Sequence, residues 1–153
     1  MKVHTTLAGV EKTIEVGPEQ VYALEPPLGG FPELRRYVVL PEAESTVEWL
    51  QALDDASVAF ALIEPFLFMP EYAFELSESD TAALGLQSTE DAMVRCIITL
   101  HQDPAQITAN LLAPIVFCRR THLARQIILQ DVDLPIRFPL FSAVEEDELA
   151  ASA

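Results

Sequence analysis

Eleven prolines punctuate this chain, from Pro18 to Pro139. Proline lacks a backbone N–H and clashes with the preceding helical turn, so long helices are excluded over most of the sequence. Between the prolines lie short runs of Val, Ile, Leu and Phe bounded by Pro, Gly, Asp or Ser, the pattern of many short strands. The runs are Thr13–Val16, Tyr37–Leu40, Val47–Gln51, Val58–Ile63, Tyr72–Leu76, Met93–His101, Ile107–Leu111, Ile115–Cys118 and Ala124–Leu129, with Ile136–Phe138 as a short last strand. In Met93–His101 the set Val94, Cys96, Ile98 and Leu100 is uniformly apolar and is predicted to face the core. Val58–Ile63 is apolar on both faces, which predicts a central strand. Ser79 and Asp80 are suitable caps for a helical turn through Leu84, ended by Gly85. The Glu- and Ala-rich Val144–Ala151 is a short helix or a frayed end. The pattern predicts an all-β single domain over residues 1–143, a small barrel or sandwich of about nine or ten short antiparallel strands with one or two helical turns, followed by an acidic tail over 144–153.

The chain has 153 residues, half of them apolar, enough to bury a core without disulfides or metal. Its charge is lopsided: 24 acidic side chains against 9 basic ones, a formal net charge of −15. Such acidity serves solubility or attracts a basic partner. It argues against direct binding to nucleic acid, which needs Lys and Arg to replace counterions, and against an anionic membrane surface. From Tyr37 to Val94 the sequence holds twelve acidic residues and no Lys or Arg. A basic partner would be drawn to that segment if it forms one face. No secretory leader is visible after Met1-Lys2-Val3, and the most apolar region, Val58–Met69, is interrupted by Glu64 and Pro65, well short of a span of ~20 residues. Cys96 and Cys118 lie in apolar runs without a CxxC pair and read as reduced core residues of a cytoplasmic protein.

Catalytic signatures are absent: there is no GxSxG, phosphate-binding loop or GxGxxG, and only five glycines. Gly29-Gly30 reads as a tight turn. Cys96, His101, Cys118 and His122 are residue types that zinc accepts, but Cys96 and His101 point to opposite faces of one strand. Asp54-Asp55 lies between two strands and reads as a turn rather than a converging acid pair. Asn110, the chain's only asparagine, is either a turn amide holding strand ends together or a partner contact. No catalytic, cofactor-binding or metal-ligating residue is assigned, and the chain is expected to act by binding rather than catalysis.

The segment Thr108-Ala109-Asn110-Leu111-Leu112-Ala113-Pro114-Ile115-Val116, followed by Arg125-Gln126-Ile127-Ile128-Leu129, closely resembles the C-terminal signature of the flagellar assembly factor FliW family. Leu28-Gly29-Gly30-Phe31 is similar to that family's GLxGF turn. Trp49-Leu50-Gln51, Asp54-Asp55 and Val58-Ala59-Phe60 resemble its next block, and Glu64-Pro65 and Pro70-Glu71-Tyr72 the one after it. The resemblance runs from about Thr13 to Leu140 in the family's order. Departures occur at Phe117-Cys118, Leu134 and Phe138, and Asp54-Asp55-Ala56 lacks the usual proline. They bear on partner contacts near Phe117–Arg120 and Leu134–Phe138, not on the fold.

The resemblance implies a cytoplasmic partner switch with no cofactor. Its partners are flagellin and CsrA, a small basic RNA-binding dimer that represses flagellin translation. Free FliW takes up CsrA; accumulated flagellin occupies FliW and releases CsrA. The family pattern favours repelling RNA over covering its site. On this reading the chain acts as a monomer, touching neither nucleic acid nor membrane directly. Glu44, Glu48, Asp54, Asp55, Glu64 and Glu71 are the expected CsrA-facing acids. Phe66, Phe68, Met69 and Tyr72 are either plain core or the wall of an apolar groove for flagellin. Gln51 and Asn110 are structural or contact amides. Two other readings use the same sequence: a β-barrel for a small molecule, which requires a large internal cavity, and an acidic chaperone-like module unrelated to flagella.

Overall fold

The computed structural model describes residues 1–42, 45–130 and 132–140. Its strands are β1 (Lys2–Thr5), β2 (Lys12–Glu15), β3 (Val21–Leu24), β4 (Arg36–Pro41), β5 (Glu48–Ala52), β6 (Ala59–Ile63), β7 (Ala92–Thr99), β8 (Thr108–Ala109), β9 (Ile115–Cys118), β10 (Leu123–Gln126) and β11 (Phe138–Pro139). One α-helix, α1, spans Glu78–Leu84. Strands β3 to β7 follow one another by antiparallel pairing, β7 pairs with β9, β9 with β10, and β10 returns to β3. The result is a closed barrel of seven strands. Strand direction cannot alternate round an odd ring, so one neighbouring pair must be parallel. That pair is β3–β10, with Ala23 opposite Leu123.

The interior is filled. Tyr22, Leu24, Tyr37, Leu50, Leu62 and Phe117 form its core, with Phe60, Met93 and Ile97 packed against them. Tyr22 meets the Phe117 ring edge-on at 5.0 Å between centroids. A small-molecule barrel needs space here, and side chains occupy it. The outer wall is apolar as well. Ala61, Ile63, Cys96 and Ile98 face outward into a second core beneath Tyr72, Leu111 and Leu140. The β1–β2 hairpin covers β4 with Val3 and Val16 against Val38 and Leu40. α1 covers β9 and the chain after β10 with Leu84 against Val116, Cys118 and Ile127. Central strands are therefore apolar on both faces, as Val58–Ile63 predicts.

Several expectations are corrected. In Met93–His101, Cys96 and Ile98 are buried, but in the outer core; Met93 and Ile97, assigned to the other face, pack into the barrel, and Leu100 is exposed. Tyr72–Leu76 is not a strand. Its alternation is genuine, since Tyr72 is buried and Ala73 exposed, but among the described residues no neighbouring edge receives its backbone. The helix starts two or three residues earlier than expected, with Ser77 Oγ accepting from Asp80 N, and Gly85 closes it at φ 72°. A Cβ at Gly85 would come 2.8 Å from Thr121 Cγ2, so both conformation and space call for glycine. β1 and β3 carry no strand signal of their own length; β3 exists because both its edges are paired. The expected helix or frayed end at 144–151 lies outside the described residues.

Gln51 is fully buried and closes the β5–β6 turn. Its Nε2 faces the carbonyls of Ala52 (3.0 Å), Asp55 (3.3 Å), Ala56 (3.3 Å) and Val58 (3.2 Å). Gln51→Leu should lower the unfolding free energy by about 1–3 kcal/mol, because those carbonyls lose their donor in a dry site. The buried Tyr37 hydroxyl has no partner among the described residues, so Tyr37→Phe should leave stability equal or up to about 1 kcal/mol higher. Urea denaturation with an unchanged m-value checks both.

Candidate functional site

β7 is shared unequally among its neighbours. Cys96, Ile97 and Ile98 pair with β6 on one side, whereas Ala92–Arg95 pair only with β9 on the other. The break lies at Glu64-Pro65. Continuing the β6–β7 register beyond Ile63↔Cys96 would bring Pro65 opposite Val94. Proline has no N–H to give, and the chain turns away there into a 3₁₀ turn over Pro65–Leu67. Among the described residues, the β6-side edge of Ala92–Arg95 has no paired strand.

At this seam the structure opens a cleft of about 730 Å³. Met93, Val94 and Val116 line its floor, and Phe66, Phe74 and Leu76 line its walls. The rim carries Glu64 and Glu75. Phe66 (38% exposed) and its neighbour Leu67 (57%) are unusually open for apolar side chains. Glu64, Glu71 and Glu75 join no ion pair among the described residues. The two arginines here are committed: Arg95 Nε is bonded to Glu48, and Arg119 Nη1 to the Glu90 carbonyl (3.1 Å). The cleft is thus apolar within, and its charged lining comprises Glu64 and Glu75 together with Arg95 and Arg119.

The expected acids do not form one patch. Glu48 is partly buried and neutralised by Arg95. Asp54 and Asp55 sit in the β5–β6 turn, at the opposite end of that hairpin from Glu48 and Glu64, on the order of 15 Å away. Asp54 is held by Arg36 at 3.0 Å. Asp55 accepts from Ser57 Oγ (2.6 Å) and N (3.0 Å), which hold its carboxyl below the usual range. Glu64 and Glu71 lie on the cleft loop. Glu44 lies outside the described residues.

The four apolar candidates also divide. Phe66 and Tyr72 border the cleft. Tyr72 is not exposed: its hydroxyl donates to the Leu111 carbonyl at 2.7 Å, and burial pushes its phenol up. Phe68 and Met69 pack into the outer core, where the Phe68 ring stacks on Phe138. Sequence reasoning missed Leu67, Phe74 and Leu76 as a set, because the Tyr72–Leu76 alternation reads locally as a strand. It also passed over Ile128 (65% exposed) and Ile136 (59%).

Asn110 Oδ1 accepts from the amides of Leu112 and Ala113, both at 3.1 Å, and shapes the turn from β8 into β9. Gln51 likewise serves the fold. Among the described residues no three His, Cys, Asp or Glu side chains converge on a common point. His101 Nδ1 accepts from Asp103 N, and His122 lies across the barrel wall against Tyr22. Cys96 and Cys118 are buried free thiols; Cys118 faces Ala92, four residues along β7 from Cys96. Burial pushes the Cys96 thiol up to about 11. Neither Phe117 nor Cys118 reaches the surface, so those departures from the family pattern repack the barrel wall rather than a contact surface. No helix among the described residues is long and apolar enough to cross a membrane.

The FliW protein family model matches residues 3–140. A flagellar assembly factor FliW from Desulfitobacterium hafniense is 38% identical over 149 residues, covering 97% of this chain and 96% of that protein. Those from Bdellovibrio bacteriovorus (37%, over 87% of this chain and 77% of that protein) and Bacillus subtilis (33%, over 92% and 96%) are similarly related. The crystal structure of a flagellar assembly factor FliW superposes with a TM-score of 0.84 at 29% identity, covering 93% of this chain and 98% of the other.

Two predictions come from this geometry. Neither cysteine should react with a thiol reagent in the native protein at pH 8, and both should react in 6 M guanidinium; labelling followed by mass measurement checks this. The Arg125 guanidinium, at 2.9 Å, holds the Asp80 carboxyl below the usual range, with Ser77 assisting. A depressed carboxylate adds stability that is present above its unfolded pKa and lost as pH falls through its folded pKa. Asp80→Asn should therefore cost about 1–2 kcal/mol at pH 7 and flatten the acid limb of the stability profile below about pH 4. On matching family model, close relatives and superposed structure together, the chain belongs to the FliW family of flagellar assembly factors.

Proposed function

We propose that this flagellar assembly factor is a binding switch that takes up flagellin in the cytoplasm and, when free of it, antagonises the translational repressor CsrA. The seam cleft is the observation that carries this reading. It is a pocket with apolar walls that include the exposed Phe66, with exposed Leu67 next to it in the chain and carboxylates without salt-bridge partners at its rim. Flagellin is the more apolar client, and the amphipathic segments at its ends would place an apolar face against Phe66, Leu67 and Phe74. CsrA is the basic client. Glu64, Glu71 and Glu75 would steer it to the same end of the barrel and oppose the approach of RNA phosphates. The turn acids Asp54 and Asp55 are poorer candidates, one neutralised by Arg36 and the other spent on its own turn. Placing both clients at one end of the molecule makes their exclusion direct.

Charge reversal tests the assignment. Glu71→Lys with Glu75→Lys should weaken CsrA binding by about tenfold or more at low ionic strength, with the difference shrinking in ~0.5 M salt. Asp54→Lys with Asp55→Lys should change it by less than about threefold. Titration calorimetry at both salts reads the outcome; the reverse ranking would overturn the charge assignment. Leu67→Glu should weaken flagellin binding with little effect on unfolding, because that side chain is already exposed.

A further inference from the structure

The chain after β10 outruns the strand beside it. Its pairing toward β9 continues past Gln126, since Ile127 N donates to Pro114 O at 2.8 Å and Leu129 N to Leu112 O at 2.9 Å. Backbone groups alternate along a strand, so Gln126 and Ile128 point theirs to the other side, where β3 lies. β3 stops short. Glu25 N still bonds to Ala124 O at 3.0 Å, but the next donor in that parallel register would come from Pro27, which has none. The Glu25 carbonyl, which would face Gln126 N, accepts from Arg125 Nε at 2.9 Å instead. Among the described residues, the N–H groups of Gln126 and Ile128 and the Gln126 carbonyl have no partner. The Ile128 carbonyl meets only the Gln130 side chain, at 3.4 Å. The Ile128 side chain stands exposed on this edge.

We propose that this edge pairs with the same edge of a second copy of the chain, antiparallel about a two-fold axis at Ile128. Self-complementarity selects the occupant. Gln126-Ile127-Ile128-Leu129-Gln130 has the same polar and apolar order in both directions and carries no charge, in a chain whose net charge is −15. A two-fold contact requires a surface that fits itself. Antiparallel register sets Ile128 opposite its counterpart, where the two exchange N–H and C=O, and sets Gln126 opposite Gln130. The two Ile128 side chains then cover one another across the axis. No residue of this segment lines the cleft, so the pairing is independent of the function proposed for that site. A ladder of five residues makes a weak dimer, formed on the order of 0.1–1 mM. The net charge of each copy opposes it, so added salt strengthens it.

The test follows the full chain by sedimentation equilibrium and by NMR amide exchange, over a concentration series up to ~1 mM. The expected result is a monomer–dimer equilibrium that tightens about threefold or more between ~0.05 and ~0.5 M salt. Exchange at Gln126 and Ile128 should slow as the dimer fills. Ile128→Pro removes an N–H that bonds nothing within the chain, so it should abolish the dimer and leave the unfolding midpoint nearly unchanged. Ile128→Lys sets like charges opposite each other and should weaken the dimer about tenfold or more, although it reduces the net negative charge. Leu100→Lys, at another exposed apolar position, should leave the dimer as it is. A chain that stays monomeric at ~1 mM in ~0.5 M salt would overturn the proposal. So would a dimer that survives either substitution at Ile128, or one that leaves these amides unprotected. Protection that does not vary with concentration would overturn it as well, since the edge would then be taken by another part of the same chain.

Discussion

A proline that cannot donate a hydrogen bond decides where the cleft of this molecule opens. Pro65 falls where β6 would next bond to Val94, and the ladder stops there. Everything particular to the site descends from that break. β7 keeps β9 on one side and loses β6 on the other. The chain from Glu64 to Leu76 is thrown outward to cover the barrel's outer face and to wall the resulting cleft. Because β6 and β7 are apolar on both faces, the segment thrown outward has a surface to pack on. Phe68 and Met69 anchor it there, while Phe66 and Leu67 stay open.

The distribution of charge acquires meaning only in this frame. Twelve acidic residues with no intervening base look like one negative face in the sequence. The fold separates them into acids that serve structure and acids that do not. Glu48 answers Arg95, Asp54 answers Arg36, Asp80 answers Arg125, and Asp55 and Asp91 accept from nearby backbone amides. Glu64, Glu71 and Glu75 are left to face solvent or a partner, beside the apolar opening. The long-range field still reflects the whole charge of −15, which disfavours the approach of other polyanions and favours that of basic groups.

Much of the fold was legible in the residues. Proline spacing ruled out a helical protein, and two-sided apolar runs such as Val58–Ile63 marked central strands. Asn110 and Gln51 stood out in the residues as structural or contact amides, and the fold spends both on turn backbone. What was not legible was non-local. β3 is a strand because Leu123 and Ala124, a hundred residues on, pair with it. Tyr72–Leu76 has a strand's alternation but no edge to join. Phe74 and Leu76, part of the cleft's apolar wall, escaped notice for that reason, and the acids at the two ends of the β5–β6 hairpin were grouped because sequence distance hides the length of a strand.

If one end of the barrel serves both clients, flagellin and CsrA cannot be held together. A competition measurement tests it most directly. Fluorescently labelled CsrA bound to the chain is titrated with monomeric flagellin while anisotropy is followed, and the mixture is resolved by size. Flagellin should displace CsrA stoichiometrically, and no three-component complex should form. A stable complex of all three, with CsrA affinity unchanged by saturating flagellin, would contradict it.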